Sequence, residues 1–174
     1  MTAAITAEGS RESSFERVAR LFEAHHQRLY RLARRLLAEP AEAQDLVQET
    51  FLRAVRRPSS VPAEETAAEA WLVRILVNLC RDLHRRRRVR ERPAPSPAPL
   101  VTRGLEDVVV ARATVEALLA RLSPRRRAVL VLAELEERPT AEIARLLGIA
   151  QVTVRWHLAA ARSAMSHHLA EDSR

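Results

Sequence analysis

TAEIARLLGIAQVTVRWHLAAAR, residues 140–162, is the stretch that decides how this chain folds. Ile143, Ala144 and Leu147 form the inward face of a short helix, and Gly148 follows where a left-handed backbone would reverse the chain. Ile149 fills the core of that turn. On the next helix Val154, Leu158, Ala161 and Met165 fall within about 60° of arc at about 100° per residue, so they pack inward. Val152, Trp156, Ala159 and Ala160 point the opposite way, with Arg155 and Arg162 on one flank and Thr153 and His157 on the other. This is the spacing of a helix-turn-helix whose second helix enters a major groove, where side chains read base edges and flanking arginines grip phosphates. Trp156 has two readings: it packs on a partner protein, or it touches thymine methyls and sugars in the groove. Glu134, Glu136 and Glu137 would repel DNA and are expected to point away from it.

Outward from this unit the periodicity stays helical. Pro124 opens a fifth helix through about Glu136, Thr140 caps a sixth that ends at Gly148, and a seventh runs from Gln151 to about Leu169. Leu105 to Leu122 reads as a fourth. Before it stands PAPSPAP, residues 93–99, with four prolines in seven positions, which can be neither helix nor central strand. Further upstream Phe15, Val18, Phe22, Leu29, Leu32 and Leu36 make one face of a first helix ending near Ala38. Pro40 starts a second, with Ala43, Leu46, Val47, Phe51 and Val55 as its apolar stripe, and Pro58 stops it. A loop to about Pro62 leads into a third helix from about Ala63 to Arg90, buried through Leu72, Ile75, Leu76, Leu79 and Leu83. Residues 1–14 are polar, small and aperiodic and read as a disordered tail. The fold class is therefore all-α: two small helical domains, 15–92 and 105–170, joined by a proline-rich linker at 93–104 that holds them apart more than it lets them pack.

Charge divides the chain further. Its net charge is +7, and all 29 basic residues are arginine. Eight of them lie between Trp71 and Arg92 against Asp82 and Glu91, a local balance of +6. From Leu36 to Leu52 there is no arginine, and Glu39, Glu42, Asp45 and Glu49 give −4. Two opposite faces imply two different partners. A basic patch this dense meets nucleic acid or an anionic membrane, because counterions released from phosphates drive such binding. On the third helix the second face is Trp71, Arg74, Asn78, Arg81, Asp82 and Arg85, recurring at three, four and seven. Arginines for phosphates, the chain's only asparagine for base edges and a tryptophan beside them suit single-stranded or melted nucleic acid, although Trp71 also fits the border of a core. Asp82 is expected to pair with Arg85 or Arg86. Asp45, Gln48 and Glu49, at i, i+3 and i+4, form an acidic and amidic patch suited to a basic protein partner.

Several function classes are excluded or disfavoured. Without lysine there is no Schiff-base chemistry and no P-loop, and Gly9, Gly104 and Gly148 are too scattered to cradle a phosphate. The single cysteine, Cys80, makes no intrachain disulfide and no CxxC site, and among Ile75, Leu76 and Leu79 it reads as a buried thiol. The six histidines find no Asp or Glu partner that completes a metal site, so no cofactor, metal or catalysis is expected. No signal pattern opens the chain, and its longest apolar run, Ala128 to Ala133, is far below the roughly 18 residues a bilayer needs. A cytoplasmic protein without a membrane partner is the expectation.

Three segments, in this order, carry a resemblance. AEAQDLVQETFLRA (41–54), AWLVRILVNLCRDLHRRRR (70–88) and LSPRRRAVLVLAELEERPTAEIARLLGIAQVTVRWHLAAAR (122–162) resemble the polymerase-binding, minus-ten and minus-thirty-five segments of the extracytoplasmic-function sigma factors of bacterial RNA polymerase. The resemblance covers about residues 15–170. It implies that Asp45, Gln48 and Glu49 bind the polymerase clamp, and that Trp71, Arg74, Asn78, Arg81 and Arg85 meet the melted minus-ten element. By the same resemblance Gln151, Thr153, Arg155, Trp156, His157 and Arg162 meet the minus-thirty-five element, and the loop from about Ser59 to Glu69 holds a flipped base. Core RNA polymerase and promoter DNA are the implied partners, with an anti-sigma factor as a possible third. The chain departs from the family at Ala150, Val152, Trp156, His157 and Ala160, where polar or basic residues and a glycine are usual, so the recognition helix is less polar than expected. A free-standing LuxR-type regulator shares the C-terminal pattern, and a polymerase-binding decoy would keep Asp45 and Glu49 while losing promoter opening.

Overall fold

The computed structural model describes residues 2–90 and 106–172. Among them are seven α-helices and no strand. Helix α1 (Thr2–Leu36) packs along α2 (Pro40–Arg56), and a 3-10 turn at Pro58–Ser60 leads into α3 (Glu65–Arg90). Then follow α4 (Glu106–Arg121), α5 (Pro124–Leu130), a π segment (Val131–Leu135), α6 (Thr140–Leu147) and α7 (Gln151–Asp172). The proline-rich linker expected at 93–104 lies outside the described residues.

Local chemistry accounts for most boundaries. Pro40 and Pro124 each stand in the first turn of a helix, where a missing N–H costs nothing. Glu64 caps α3: its carboxylate accepts from the Thr66 and Ala67 backbone N–H groups at 2.9 and 2.7 Å and from the Thr66 hydroxyl. Those bonds, the Thr66 hydroxyl first, pull its pKa below the usual carboxylate value. Gly148 ends α6 at φ 63° and ψ 41°, and the Ile149 N–H reaches back to the Ala144 carbonyl at 3.0 Å, as the sequence predicts. Thr140 does not cap α6. It is the first helical residue, behind Pro139, and its hydroxyl instead accepts from Gln151 Nε2 at 2.8 Å. After α5 the chain widens by one residue per turn, shown by Glu136 N–H bonding to the Val131 carbonyl at 3.2 Å.

The N-terminal expectations need two corrections. The stretch read as a disordered tail, residues 1–14, is helical from Thr2: it has no proline and carries three alanines and two glutamates, so α1 propagates outward from its packed segment. Phe15 and Phe22 are 57% and 43% exposed, because the buried set of α1 (Val18, Leu21, Leu29, Leu32, Leu36) is centred to one side of them. Phe22 instead lids Phe51 edge-on, with ring centroids 4.9 Å apart.

The third correction is larger. The two halves were expected to be held apart, yet one hydrophobic core runs through both, from Leu32, Leu72 and Leu76 to Leu132, Ile143 and Leu146. Helix α3 lies between α1 and α2 on one side and α5 and α6 on the other. Besides the expected stripe of Leu72, Leu76 and Leu79, it buries Ala70, Val73, Val77 and Cys80. That second stripe is displaced about 100° around the helix, and burial of both is what joins the halves. Each fully buried Val or Leu is worth roughly 1.5–3 kcal/mol relative to exposure, which outweighs the stiffness of a connecting segment.

Candidate nucleic-acid interface

Helix α3 keeps one face for solvent. Arg81 and Arg85 are exposed there, while Trp71, Arg74 and Asn78 are half-buried. The five residues share the face the periodicity gives them. Trp71 borders a hollow of about 560 Å³ walled by Glu49, Arg53, Arg56, Arg57, Ser60 and Ile75, next to the 3-10 turn. An indole, a hydroxyl and three guanidinium groups around one hollow can stack a base and hold its phosphate. Asp82 pairs weakly with Arg81, at 3.8 Å, rather than with Arg85 or Arg86. Arg74 is turned toward the other half: a Cβ built on Gly148 would stand 3.0 Å from Arg74 Cδ, so the guanidinium stem lies against the helix-turn-helix turn.

On α2, Asp45 and Gln48 are exposed and Glu49 is half-buried. Glu49 is not free, since Arg53 Nε donates to it at 3.0 Å and Arg56 approaches to 3.7 Å. The acidic patch is therefore carried by Asp45 and Gln48, with Glu49 partly neutralised by its own helix.

On α7 the outward face is open. Val152 is 65% exposed and Trp156 58%, Gln151 and Arg155 are exposed, and Thr153 and His157 are half-buried. Val154, Leu158 and Ala161 are buried as predicted. Gln151 bonds Thr140 and so ties α7 to α6. Arg162 Nη2 lies 2.6 Å from the Glu134 carboxylate, so Glu134, expected to point away from DNA, instead lies against the Arg162 flank of the reading face.

Sequence reasoning missed Arg125, Arg126 and Arg127, which stand together at the start of α5. Successive helical residues point about 100° apart, so three neighbours do three jobs. Arg126 sits over the Trp156 indole, 5.4 Å from its centroid, and the His157 ring meets the same indole edge-on at 4.9 Å. Burial first, then the positive charges of Arg125 and Arg126, push the His157 pKa below its usual value. Its Nδ1 is buried without a hydrogen-bond partner. Arg127 points inward and is buried, donating to the Leu36 carbonyl at 2.5 Å and the Leu122 carbonyl at 3.5 Å. Cys80 beside it is 3% exposed, and burial pushes its thiol up to about 12. The run PRRR at a helix start was the available signal. What it lacked was the packing that separates the three roles.

Among the described residues no group of His, Cys, Asp or Glu side chains is placed to hold a metal ion, and no helix is long and apolar enough to cross a membrane. Residues 21–90 match the family model of sigma-70 region 2, and residues 112–165 match that of sigma-70 region 4. The chain is 34% identical over 149 residues to the ECF RNA polymerase sigma factor SigM of Mycobacterium tuberculosis, covering 86% of this chain and 75% of that one. The chain belongs to the ECF RNA polymerase sigma factors. The ECF sigma factor SigL of M. tuberculosis is 33% identical over 142 residues, covering 79% of this sigma factor and 80% of SigL. Among solved structures, CnrH in complex with the cytosolic domain of CnrY superposes with a TM-score of 0.63 at 26% identity, over 97% of each chain. The match to region 2 removes the LuxR-type alternative, because such a regulator shares only the C-terminal pattern.

Proposed function

We propose that this sigma factor binds core RNA polymerase through α2 and places its two halves, residues 15–92 and 105–170, on the minus-ten and minus-thirty-five promoter elements. Asp45 and Gln48 supply the exposed polymerase contacts, and Glu49, relayed through Arg53 and Arg56, completes the patch. Arg74, Arg81 and Arg85 hold phosphates of the melted minus-ten strand, Asn78 reads a base edge, and Trp71 stacks a base at the mouth of its hollow. Gln151, Thr153, Arg155, Trp156 and His157 face the minus-thirty-five duplex. Arg162 joins them only by leaving Glu134.

The observation that carries the reading is the left-handed Gly148 turn followed by α7 with Val152 and Trp156 exposed, since a plain helical hairpin would bury them. The apolar pair Val152 and Trp156 favours contact with thymine methyl groups over hydrogen-bonded base readout. Initiation needs no catalytic residue of this chain: unpaired bases are captured as the duplex breathes, and the polymerase does the chemistry. An enzyme activity is therefore not assigned, and the place of action is the cytoplasm, where polymerase and promoter are. CnrH was solved with the cytosolic domain of CnrY, which supports an anti-sigma partner for this factor too.

The test is to mix the purified factor with bacterial core polymerase and transcribe from a promoter library. Co-elution with selective transcription is expected. Asn78→Ala lowers open-complex formation while sparing polymerase binding, and Asp45→Arg does the reverse. Co-elution without transcription from any fragment would identify a decoy instead.

A further inference from the structure

Three polar side chains of α1, Arg17, His25 and Arg28, stand at i, i+8 and i+11, within about 80° of arc on one helix. Together they follow the exit of the loop between α2 and α3 and then the start of α3. Arg17 donates through Nη2 to the Pro62 carbonyl and through Nη1, at 3.5 Å, to the Val61 carbonyl. His25 Nε2 meets the Glu65 carboxylate at 3.1 Å, and Arg28 meets Glu69 one turn further along α3.

His25 and Arg28 grip a helix that its own bonds already hold. Arg17 grips a segment with little hydrogen bonding of its own. Pro58 and Pro62 bring no N–H to it. Two backbone bonds close the 3-10 turn, from the Ser60 N–H to the Arg57 carbonyl at 2.9 Å and from the Val61 N–H to the Pro58 carbonyl at 3.2 Å. Val61 is buried and anchors the loop in the core, while Ser59 and Ser60 are exposed. Past the turn, the Val61 and Pro62 carbonyls are answered from α1, 44 and 45 residues away along the chain. A guanidinium is a rigid fork of donors, so two successive carbonyls on one fork fix the direction of the backbone between them, which a single bond would not.

The loop held in this way is a wall of the hollow beside Trp71, since Arg57 and Ser60 line it together with the indole. An aromatic face alone lets a stacked base slide. Confining that base takes a second wall at a set distance from the first.

We propose that Arg17 is a positioning residue for base capture: by clamping the Val61 and Pro62 carbonyls it sets the loop wall of the Trp71 hollow, and it acts through that wall rather than on the nucleic acid. The inference rests on the reading of that hollow as the seat of an unpaired base of the minus-ten strand. The clamp itself stands on the geometry of α1 and the loop alone.

The test uses the full-length factor bound to core polymerase and to a promoter fragment recovered from the library, its minus-ten strand unpaired and carrying an abasic site at each position in turn. For the wild type, loss of the captured base is expected to weaken binding roughly 5- to 150-fold, the range of one base–aromatic stack. Arg17→Ala is expected to bind the intact strand about tenfold more weakly and the abasic strand as before, so that the preference for the base collapses. Arg17→Lys keeps the charge without the fork and is expected to fall between the two. Equal weakening of intact and abasic strands, or an unchanged preference for the base, overturns the positioning role. A wild-type factor with no sensitive position overturns the reading of the hollow and the capture role with it. The clamp is read separately by amide hydrogen exchange of the free factor. The Ser60 and Val61 N–H groups are expected to exchange about tenfold faster in Arg17→Ala, with the amides in the middle of α3 unchanged. Unchanged exchange at Ser60 and Val61 overturns the clamp whatever the strand binding shows. Should the wild type not bind core polymerase at all, the proposed function and the capture role fall together, and the exchange ratio still decides whether Arg17 holds the loop.

Discussion

Helices α3 and α7 both present arginines and a tryptophan to solvent, but they are held in opposite ways. Helix α3 is buried along two stripes and shows a third face whose upper residues, Trp71, Arg74 and Asn78, are half covered. Helix α7 buries one stripe and leaves Val152 and Trp156 open. The first is a structural strut on which recognition has been placed, and the second is a recognition surface with a modest structural duty. Substitutions of similar size are therefore expected to give different kinds of damage in the two.

The largest effect is expected at the strut. Leu76→Ala empties a fully buried site on α3 and is expected to cost about 2–5 kcal/mol, measured by urea unfolding of the whole chain. Trp156→Ala on α7, which removes the contacts with Arg126 and His157, is expected to cost no more than about 1 kcal/mol while binding to minus-thirty-five duplex is lost. If both substitutions destabilise equally, the contrast fails. Next comes Gly148→Ala, which touches both helices. A methyl at φ 63° is strained and its Cβ presses on Arg74, so a loss of about 1–2 kcal/mol is expected, measured by urea unfolding.

Arg126→Ala sharpens the picture of α7. Removing the guanidinium over the indole costs about 0.5–1 kcal/mol, and the expected signature is a change in Trp156 fluorescence with weaker duplex binding and unchanged polymerase binding. The smallest effect concerns pH. The folded pKa of His157 is pushed below its usual 6.5, so the unfolded chain takes up a proton first as pH falls. Stability is then whole above about 6.5 and declines as pH falls through the interval between the unfolded and folded values. His157→Gln is expected to remove that slope, followed by thermal unfolding between pH 7.5 and 5.

Legibility in the sequence followed the number of partners each residue has. The Gly148 turn, the buried stripe of α7 and the Asp45 and Gln48 patch depend on one helix or one turn, and their spacing is enough to read them. The Val73, Val77 and Cys80 stripe depends on which element covers it. The sequence reading took one apolar stripe on this helix, and the proline-rich connection argued against packing by the half that covers the second. Glu49 and Arg162 read as ligands of other molecules because spacing reveals only a face. Their true neighbours, Arg53 and Glu134, were in plain sight, one turn away and across a helix pair. Arg127 was the least accessible of all, since a buried arginine answering two carbonyls carries no pattern that distinguishes it from Arg125 and Arg126.

The π segment at Val131–Leu135 gives the chain one residue more than an α-helical path needs, and that surplus delivers Glu136 to Arg28. A single-codon deletion at Ala133 would restore ordinary helical pitch and rotate everything downstream by about 100°, swinging the Glu136 carboxylate off its cation. Such a shortened chain would lose that ion pair and would also turn the buried residues of α6 and α7, Ile143, Leu146 and Val154 among them, off the core. A local irregularity of pitch thus sets the register on which the whole helix-turn-helix half depends.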